Sequence, residues 1–425
     1  MAKRKIQRPR GTLDILPPEQ KYWNYVLGIF KNKTEEAGFG RICIPTFEDT
    51  SLFVRSVGKG TDIVEKEMYT FKDKSNNSLA LRPEGTASIV RAYIENGMQS
   101  LSHPVRLYYV GPFFRYERPQ AGRFREHHQF GGEIIGDQSS FIDVQVVSLG
   151  WRILKSIGLA DLTIHINSIG CSACRPKYKK LLLFYYKEHI KKLCVDCKIR
   201  YKKNPLRLLD CKNIKCGQVI SEAPQLINNL CKVCHEHFRS VLEGLDDLEI
   251  PYELDPFLVR GLDYYTKTVF EIWSKNQDGQ SALLGGGRYD DLVELLGGRP
   301  TPAIGFGAGI ERLIISLKES EMEITGISKI LVFVAQLGEK AKKECIKLIN
   351  ELLNEGIGTV GCLDKRGIGE QLKMANNYKV PYTLLIGQKE AFDQTVIVKD
   401  METGSQEIIP RGKIVKQVKK RLGMG

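Results

Sequence analysis

Residues 260–265 read Arg-Gly-Leu-Asp-Tyr-Tyr and lie between apolar, β-favouring runs. A guanidinium such as that of Arg260 can neutralise an oxyanion, while Tyr264 and Tyr265 can each offer a ring face and a hydroxyl to a small polar ligand. The spacing predicts a tight bend that binds a compact, hydrogen-bonding substrate and stabilises negative charge beside it.

A second group of residues that could bind a substrate lies at 111–118, which read Gly-Pro-Phe-Phe-Arg-Tyr-Glu-Arg. On an extended strand, Arg115 and Glu117 would project from the same face because side chains alternate with a period of two. The arginine could hold a phosphate, and the glutamate could accept from an exocyclic amine or orient the arginine. Taken alone, the segment is also compatible with an ordinary charged hairpin.

A third group is glycine-rich. Residues 303–312 read Ala-Ile-Gly-Phe-Gly-Ala-Gly-Ile-Glu-Arg, so a strand of small residues precedes a helix with Arg312 in its first turns. Small residues let a flat ligand approach the backbone closely. The segment lacks the βαβ spacing and acidic partner of a dinucleotide fingerprint, and the sequence has no Walker A lysine motif. ATP, if bound, is therefore not bound as in P-loop enzymes.

Eight of the eleven cysteines form four close pairs. The pairs are Cys171/Cys174, Cys194/Cys197, Cys211/Cys216 and Cys231/Cys234. Cys-x-x-Cys spacing suits two thiolates on one metal ion, so two four-cysteine structural zinc sites are arithmetically available, with His235 or His237 as substitutes for a cysteine. Buried free thiols are the alternative, and disulfides are disfavoured in a reducing cytosol.

The hydrophobic pattern predicts two kinds of sheet. Strand-like runs are found at 41–47, 105–114, 129–136, 163–168, 268–273, 281–284 and 303–307. They show no regular βα alternation before residue 320, which favours an antiparallel sheet flanked by helices. After residue 326, runs at 329–335, 357–361 and 380–386 alternate with helical stretches at 338–355 and 368–378, the pattern of a largely parallel α/β domain.

Charge is concentrated in two segments. The net charge is +13; residues 171–250 carry 16 Lys/Arg against 9 Asp/Glu, and residues 328–425 carry 17 against 11, so the rest is neutral. Such segments would grip a polyanion, although Lys-rich surfaces also aid solubility. No apolar run is long enough for a membrane span and no secretory h-region follows the basic start, so we expect a cytoplasmic protein.

The Phe-Arg-x-Glu segment and the glycine-rich strand followed by Glu-Arg resemble motifs of class II aminoacyl-tRNA synthetases. Four further segments occur in the order typical of histidyl-tRNA synthetases, from about residue 8 to the end: 81–86, 118–123, 260–265 and 284–290. The resemblance implies an α+β fold whose class II catalytic core spans 1–170 and 251–325. It also implies a helical Cys-rich insertion at 171–250, an anticodon-binding domain at 328–425, and a homodimer.

The resemblance also implies residue roles. The residues that it implies bind histidine are Glu84, Thr86, Gln129, Glu133, Arg260, Tyr264 and Tyr265. The residues that it implies bind ATP are Arg115, Glu117, Arg123, His127 and Arg312, and Mg²⁺ is expected to bridge the phosphates. Arg115 and Arg260 are the catalytic pair, stabilising charge on the phosphoryl oxygens. His127 departs from the family pattern, which often has a larger aromatic ring there; as residues alone, His127 and His128 could also be surface strand residues.

The resemblance implies an enzyme that ligates L-histidine to tRNA(His) through a histidyl-adenylate. The alternative is a non-catalytic, histidine-sensing paralogue that regulates histidine biosynthesis, but such paralogues usually lack the C-terminal domain and lose catalytic arginines. A synthetase for glycine, threonine or proline does not fit the 260–265 segment.

Overall fold

In this computed structural model the described residues are 5–120, 122–274, 282–322, 324, 330–364 and 366–424. The chain divides into two compact units, Met1–Ile324 and Thr325–Gly425. Across the described residues, no helix is both long enough and apolar enough to cross a membrane.

The first unit contains strands β1 to β11 and helices α1 to α10. The strands are β1 (Gly40–Arg41), β2 (Phe47–Asp49), β3 (Thr70–Lys72), β4 (Ser78–Leu81), β5 (Val105–Phe114), β6 (Glu126–Ile135), β7 (Leu162–Ser168), β8 (Tyr252–Leu254), β9 (Thr266–Ser274), β10 (Leu284–Arg288) and β11 (Ala303–Gly309). The helices are α1 (Gln20–Glu36), α2 (Thr50–Ser56), α3 (Thr86–Glu95), α4 (Ser140–Ile157), α5 (Arg175–His189), α6 (Val195–Lys203), α7 (Ile214–Ser221), α8 (Lys232–Asp247), α9 (Leu292–Leu295) and α10 (Ile310–Glu319).

The main sheet has the strand order β1-β5-β6-β11-β10-β9-β7-β8. Its central pairs, from β5–β6 through β9–β7, are antiparallel, and the outer pairs β1–β5 and β7–β8 are parallel. Apolar residues of α1, α4 and α10 form a core on one side of the sheet, while α3 and the insertion contribute to a second core. The predicted antiparallel sheet flanked by helices is confirmed.

Most predicted strands are present with small shifts of their ends. The run 105–114 is β5, while β6 begins earlier than predicted because Glu126 pairs with Phe114. The runs 163–168, 268–273 and 303–307 lie within β7, β9 and β11. For the run 281–284, residue 281 lies outside the described residues, and β10 begins at Leu284.

Two local predictions are wrong. The run 41–47 is not one strand, because only its ends belong to β1 and β2. Between them, the carbonyls of Ile44 and Pro45 accept hydrogen bonds from Arg82 Nη1, at 2.6 and 3.2 Å, instead of pairing with a neighbouring strand. Arg115 and Glu117 do not share a strand face either, since β5 ends at Phe114.

Residues 171–250 are helical, as predicted, and consist mainly of α5 to α8 with a 3₁₀ turn at Pro205–Leu208. The apolar side chains of α5, such as Tyr178 and Leu182, belong to the same core as Tyr264 of the sheet region. Those of α8, such as Phe238, belong to the core that includes α4. The insertion therefore packs against the sheet region through both cores, and its status as a separate domain stays a prediction.

The second unit has the elements β12 (Val332–Gln336), α11 (Glu339–Asn354), β13 (Thr359–Gly361), α12 (Ile368–Tyr378), β14 (Tyr382–Ile386), α13 (Gln388–Asp393), β15 (Thr395–Asp400), β16 (Gln406–Pro410) and α14 (Ile414–Arg421). The three predicted strands β12, β13 and β14 pair in parallel; residue 329 of the first run lies outside the described residues. The sequence reading missed β15 and β16, which extend the sheet as an antiparallel hairpin.

Candidate active site

Glycines on the central strands make room for the polar side chains of the site. A Cβ atom at Gly305 of β11 would overlap the carboxylate of Glu133 on β6, and one at Gly285 of β10 would overlap the guanidinium of Arg260. At Gly131, a Cβ would lie 2.5 Å from the hydroxyl oxygen of Tyr109. The glycine-rich strands predicted to admit a flat ligand therefore also let these side chains lie against the sheet.

A buried hydrogen-bond network joins four of the predicted histidine-binding residues. Glu84 caps the start of α3, since its carboxylate accepts from the backbone N–H groups of Thr86 (2.7 Å) and Ala87 (2.9 Å). The Thr86 hydroxyl donates to Glu133 at 2.8 Å. The Tyr264 hydroxyl donates to Glu84 at 3.3 Å. Two carboxylates are thus held side by side through Thr86.

Burial sets the protonation of this network. Burial raises the pKa of Glu133 to about 8, although the hydroxyls of Tyr289 and Thr86 oppose the shift. Burial likewise raises the pKa of Glu84, against the hydrogen bonds from Ala87 and Thr86. A cationic or hydrogen-bond-donating ligand between them would favour the ionised carboxylates, because a nearby positive charge lowers a carboxyl pKa.

Arg260 lies beside this network and forms an ion pair with Glu271 of β9. Glu271 also accepts from the indole N–H of Trp273 at 3.0 Å. Although burial alone would lower the pKa of Arg260, the Glu271 carboxylate raises it, so the guanidinium stays charged. The guanidinium carbon Cζ of Arg260 lies 5.8 Å from the ring centroid of Tyr265. A fixed positive charge therefore faces the tyrosine pair.

The predicted ATP-binding residues form a second polar group. Arg115 donates through Nε to the carbonyl of Pro83 at 2.8 Å, which places it next to Glu84. Glu117 lies between two arginines, 3.9 Å from Arg115 and 3.7 Å from Arg123. Such a cluster offers two cations and one acceptor to a nucleotide.

His127, Arg312 and Gln129 occupy neighbouring positions on β6 and α10. Burial, followed by the charge of Arg115, lowers the pKa of His127 to about 3, so its ring is neutral and can stack on a flat base. Arg312 donates to the carbonyl of Ala282 at 2.6 Å. Gln129 of β6 pairs with Gly111 of β5 on one side and with Gly309 of β11 on the other.

The sequence alone allowed His128 to be a surface strand residue, but its side chain contacts two helices. Its ring nitrogen lies 2.8 Å from Glu311 at the start of α10, and its ring meets Trp23 edge-on at 4.9 Å. It therefore joins β6 to the helices behind the sheet.

Sequence reasoning missed three residues of the site. Tyr289 donates to Glu133 at 2.5 Å, Tyr109 lies under Gly131, and Glu271 pairs with Arg260. Tyr289 stands within the 284–290 segment, so a role for it could have been proposed. Nothing in the local sequence of Tyr109 or Glu271 identifies their partners, which are Gly131 of β6 and Arg260 of the loop before β9.

The eight paired cysteines gather into two clusters within the insertion. Cys171, Cys174, Cys231 and Cys234 form cluster 1, and Cys194, Cys197, Cys211 and Cys216 form cluster 2; in each, the sulfurs lie within 4.8 Å of one another. Backbone N–H groups point at the sulfurs, from Cys231 to Cys174 at 3.1 Å and from Cys194 to Cys216 at 3.2 Å. Four thiols with such support match the donor set of structural zinc.

The alternative histidine ligands are not in these clusters. His237 lies 2.9 Å from Asp143, and His235 is exposed. All eight cysteines are free thiols in the structure, so disulfide pairing among them is not present in the described residues. Burial opposes ionisation of Cys171, but hydrogen bonds from the backbone of Cys174 and Ala173 lower its pKa to about 7.

Comparisons with known proteins show the family to which this chain is similar. The family model described as histidyl-tRNA synthetase matches residues 11–173 and 205–313, and that of an anticodon binding domain matches residues 331–421. A histidine–tRNA ligase of Thermosipho melanesiensis is 49% identical over 406 residues, covering 96% of each chain. One of Dehalococcoides mccartyi is 45% identical over 416 residues, covering 98% of this chain and 100% of the relative.

A solved structure is also similar over nearly the whole chain. Apo histidyl-tRNA synthetase of S. aureus superposes with a TM-score of 0.82 at 38% identity, covering 98% of this chain and 100% of that one. The carboxylate network, the arginines beside it and these matches lead to one conclusion: the chain belongs to the histidyl-tRNA synthetase family.

Proposed function

We propose that this chain is a histidine–tRNA ligase, which activates L-histidine with ATP and transfers it to tRNA(His). The observation that carries the proposal is the buried pair Glu84 and Glu133, joined through Thr86 and placed beside the charged Arg260. Free histidine has an ammonium and an imidazole for the carboxylates, and its own carboxylate for the arginine. Membership of the synthetase family supports the same reading.

In the proposed complex, Glu84 and Gln129, with Thr86, bind the ammonium. Glu133 and Tyr265 hydrogen-bond the two imidazole nitrogens, and Tyr264 lines the pocket. A site of this kind rejects analogues that leave its buried polar groups unpaired, by roughly 10⁴-fold or more. The hydroxyls of Thr86 and Tyr289 support this role, because both hold the carboxylate of Glu133 in place.

The chemistry needs no protein nucleophile, since the histidine carboxylate is already ionised. Its oxygen forms a bond to the α-phosphorus of ATP, and the bond to the pyrophosphate oxygen breaks. Arg115 and Arg260 stabilise the charge that develops on the phosphoryl oxygens. A hydroxyl of the tRNA 3′-terminal adenosine then attacks the histidyl carbonyl carbon, and AMP leaves.

ATP is proposed to lie against Arg115, Glu117, Arg123, His127 and Arg312. Mg²⁺, when bound with the nucleotide, neutralises phosphate charge. We further propose a structural zinc ion in each cysteine cluster, a homodimer as the working form, and action in the cytoplasm, where tRNA, ATP and free histidine meet. The division into catalytic core, insertion at 171–250 and anticodon-binding domain at 328–425 is part of the same proposal.

The test is ATP–pyrophosphate exchange by the purified full chain, driven in turn by each of the twenty amino acids. Exchange with histidine alone would support the proposal, and transfer to tRNA(His) would complete it. Histidine binding without exchange would instead favour the regulatory paralogue and would overturn the enzymatic proposal.

A further inference from the structure

The 260–265 loop is held from behind by the insertion. Arg207 Nη1 donates to the carbonyl of Arg260 at 3.1 Å. Asn204 donates to the carboxylate of Asp263 at 2.7 Å. Arg175 donates to the carbonyl of Tyr265. The backbone of Arg260 and of Tyr265, two of the residues proposed to contact histidine, is therefore fixed by side chains that lie outside the catalytic sheet.

The supporting residues are themselves braced. Arg207 is 9% exposed and lies 3.3 Å from Asp210 and 3.7 Å from Asp62. Asp62 also pairs with Arg200 at 2.9 Å, which ties α6 to the 3₁₀ turn. A buried guanidinium with two carboxylates has one well-defined geometry, so it can transmit the position of its own backbone to the loop.

Each supporting residue is next to a cysteine cluster in sequence. Arg175 directly follows Cys174 of cluster 1. Asn204 and Arg207 lie between Cys197 and Cys211 of cluster 2. The segment between those two cysteines consists of the short helix α6 and one 3₁₀ turn, and no strand of the sheet fixes it. A metal bound by cluster 2 would close this segment into a rigid loop, as structural zinc does elsewhere.

We propose that Arg175, Asn204 and Arg207 are positioning residues for the histidine site, and that zinc ions bound by clusters 1 and 2 hold them against the 260–265 loop. The proposal rests on the proposed function. Zinc in this chain would thus act on histidine recognition at a distance, through backbone carbonyls, and would leave the nucleotide site largely alone. A shift of about 1 Å in such a loop can cost about a hundredfold in rate.

The test compares Arg207→Ala, Arg207→Lys and Cys211→Ser in the full chain, with Lys202→Ala as the matched control. Lys202 is an exposed cation on α6, near the same cluster. We expect Arg207→Ala to retain the wild-type zinc content, by elemental mass spectrometry, and to lose about tenfold or more in kcat/KM for histidine in exchange. KM for ATP should stay within about twofold of wild type, and Arg207→Lys should recover part of the loss.

The double variant tests the link to the metal. Cys211→Ser should lower the zinc content by one ion per chain and weaken histidine binding, measured by calorimetry. If Arg207 acts through cluster 2, adding Arg207→Ala to the Cys211→Ser variant should lower the histidine affinity by less than about a further threefold. The reason is that the effects of coupled residues do not add. Full additivity of the two losses would overturn the proposal, as would zinc-free protein with normal histidine affinity.

The remaining outcomes are also informative. If the Cys211→Ser chain does not fold, the comparison of Arg207→Ala with Arg207→Lys and Lys202→Ala decides, together with Asn204→Ala. Histidine kinetics that match the control in these variants would refute the positioning role. Wild-type protein that shows no histidine-dependent exchange would refute the proposed function itself, whereas normal wild-type exchange with unaffected variants would refute the present inference alone.

Discussion

At the residue scale, the proposed histidine site is a set of buried groups whose charges depend on what they contact. Glu133 accepts from two hydroxyls and Glu84 from two backbone N–H groups, while Arg260 keeps its charge by pairing with Glu271. A ligand must replace or supplement these contacts to bind well, because an unpaired buried polar group costs about 1–3 kcal/mol.

Arg260→Ala should lower adenylate formation far more than histidine affinity. The guanidinium is expected to contact the histidine carboxylate in the ground state but to act most strongly on the charge that develops in the transition state, where loss of one such donor costs about 10²–10³ in kcat. Exchange kinetics give kcat, and calorimetry gives the dissociation constant for histidine. Equal losses in both quantities would contradict the assigned role; Arg239→Ala, an exposed arginine of α8, serves as control.

Glu133→Gln should change the pH dependence of stability. The folded-state pKa of Glu133 is about 8, above the ordinary value of 4.5, so the folded chain binds this proton more tightly than the unfolded chain. The stabilisation is complete below about pH 4.5 and is lost as the pH rises through about 8. The melting temperature of the wild type, relative to Glu133→Gln, should therefore fall between pH 5 and pH 8.5.

The exposed Glu294→Gln of α9 is the matched control for this comparison. Its melting temperature should follow that of the wild type across the same pH range. If the melting temperatures of the wild type and of Glu133→Gln changed in parallel with pH, the Glu133 carboxyl would titrate normally in the folded chain.

At the element scale, the strands β10 and β11 position the site through glycines, which have no side chain. Each has glycines over which side chains of other strands lie, so the sheet contributes space as well as hydrogen bonds. A second device is the buried Arg288 of β10, which pairs with Asp143 of α4 at 2.6 Å; Asp143 in turn contacts His237 of α8 at 2.9 Å. These contacts join the sheet, a flanking helix and the insertion.

Gly305→Ala should destabilise the protein and abolish histidine binding. The new methyl group would overlap the Glu133 carboxylate and lie 2.7 Å from the carbonyl oxygen of Gly132, so either the strand or Glu133 must move. We expect a loss of about 1–3 kcal/mol in the free energy of unfolding, as for other overpacked cores. Thermal unfolding and histidine calorimetry measure the two effects.

The control lies on the same strand. A Cβ atom at Gly309 would meet nothing within 4 Å, so Gly309→Ala should change stability little and leave histidine binding intact. Equal effects of the two substitutions would mean that the loss comes from strand backbone properties and not from the position of Glu133.

At the scale of the whole molecule, positive charge and proposed chemistry are carried by different parts of the chain. The excess of Lys and Arg lies in residues 171–250 and 328–425, whereas the carboxylates and arginines of the proposed site come mostly from the remaining, neutral part. Segments outside the site would therefore bind a polyanion while the sheet binds small molecules.

Aminoacylation of tRNA should depend on salt much more than amino-acid activation does. Neutralising several phosphates releases counterions, so affinity for a nucleic acid falls by about 10³–10⁵ between 50 and 200 mM salt for the most extensive contacts. We expect KM for tRNA to rise at least tenfold over that range, with histidine-dependent exchange changing by less than about twofold. Parallel changes in both assays would contradict this division of labour.

Local sequence patterns were enough to predict the class of the main sheet and the parallel strands of the second unit. These succeed because hydrophobic periodicity and short motifs are local: Arg260, Tyr264 and Tyr265 lie on one bend, and β5 follows its predicted run. The antiparallel sheet and the family resemblance are confirmed; the residue roles stay predictions.

Contacts between residues distant in sequence are known only from the folded chain. Cys171 and Cys174 precede α5 and join Cys231 and Cys234 at the start of α8, a meeting that no spacing rule could specify. Tyr289 reaches Glu133, which is 156 residues away in the sequence. Glu271 of β9 reaches Arg260 in the loop before that strand. The irregular course of residues 42–46 follows from Arg82, whose guanidinium takes the carbonyls that a strand would have used. Partner choice is set by sheet order and helix packing, and those are properties of the folded chain as a whole.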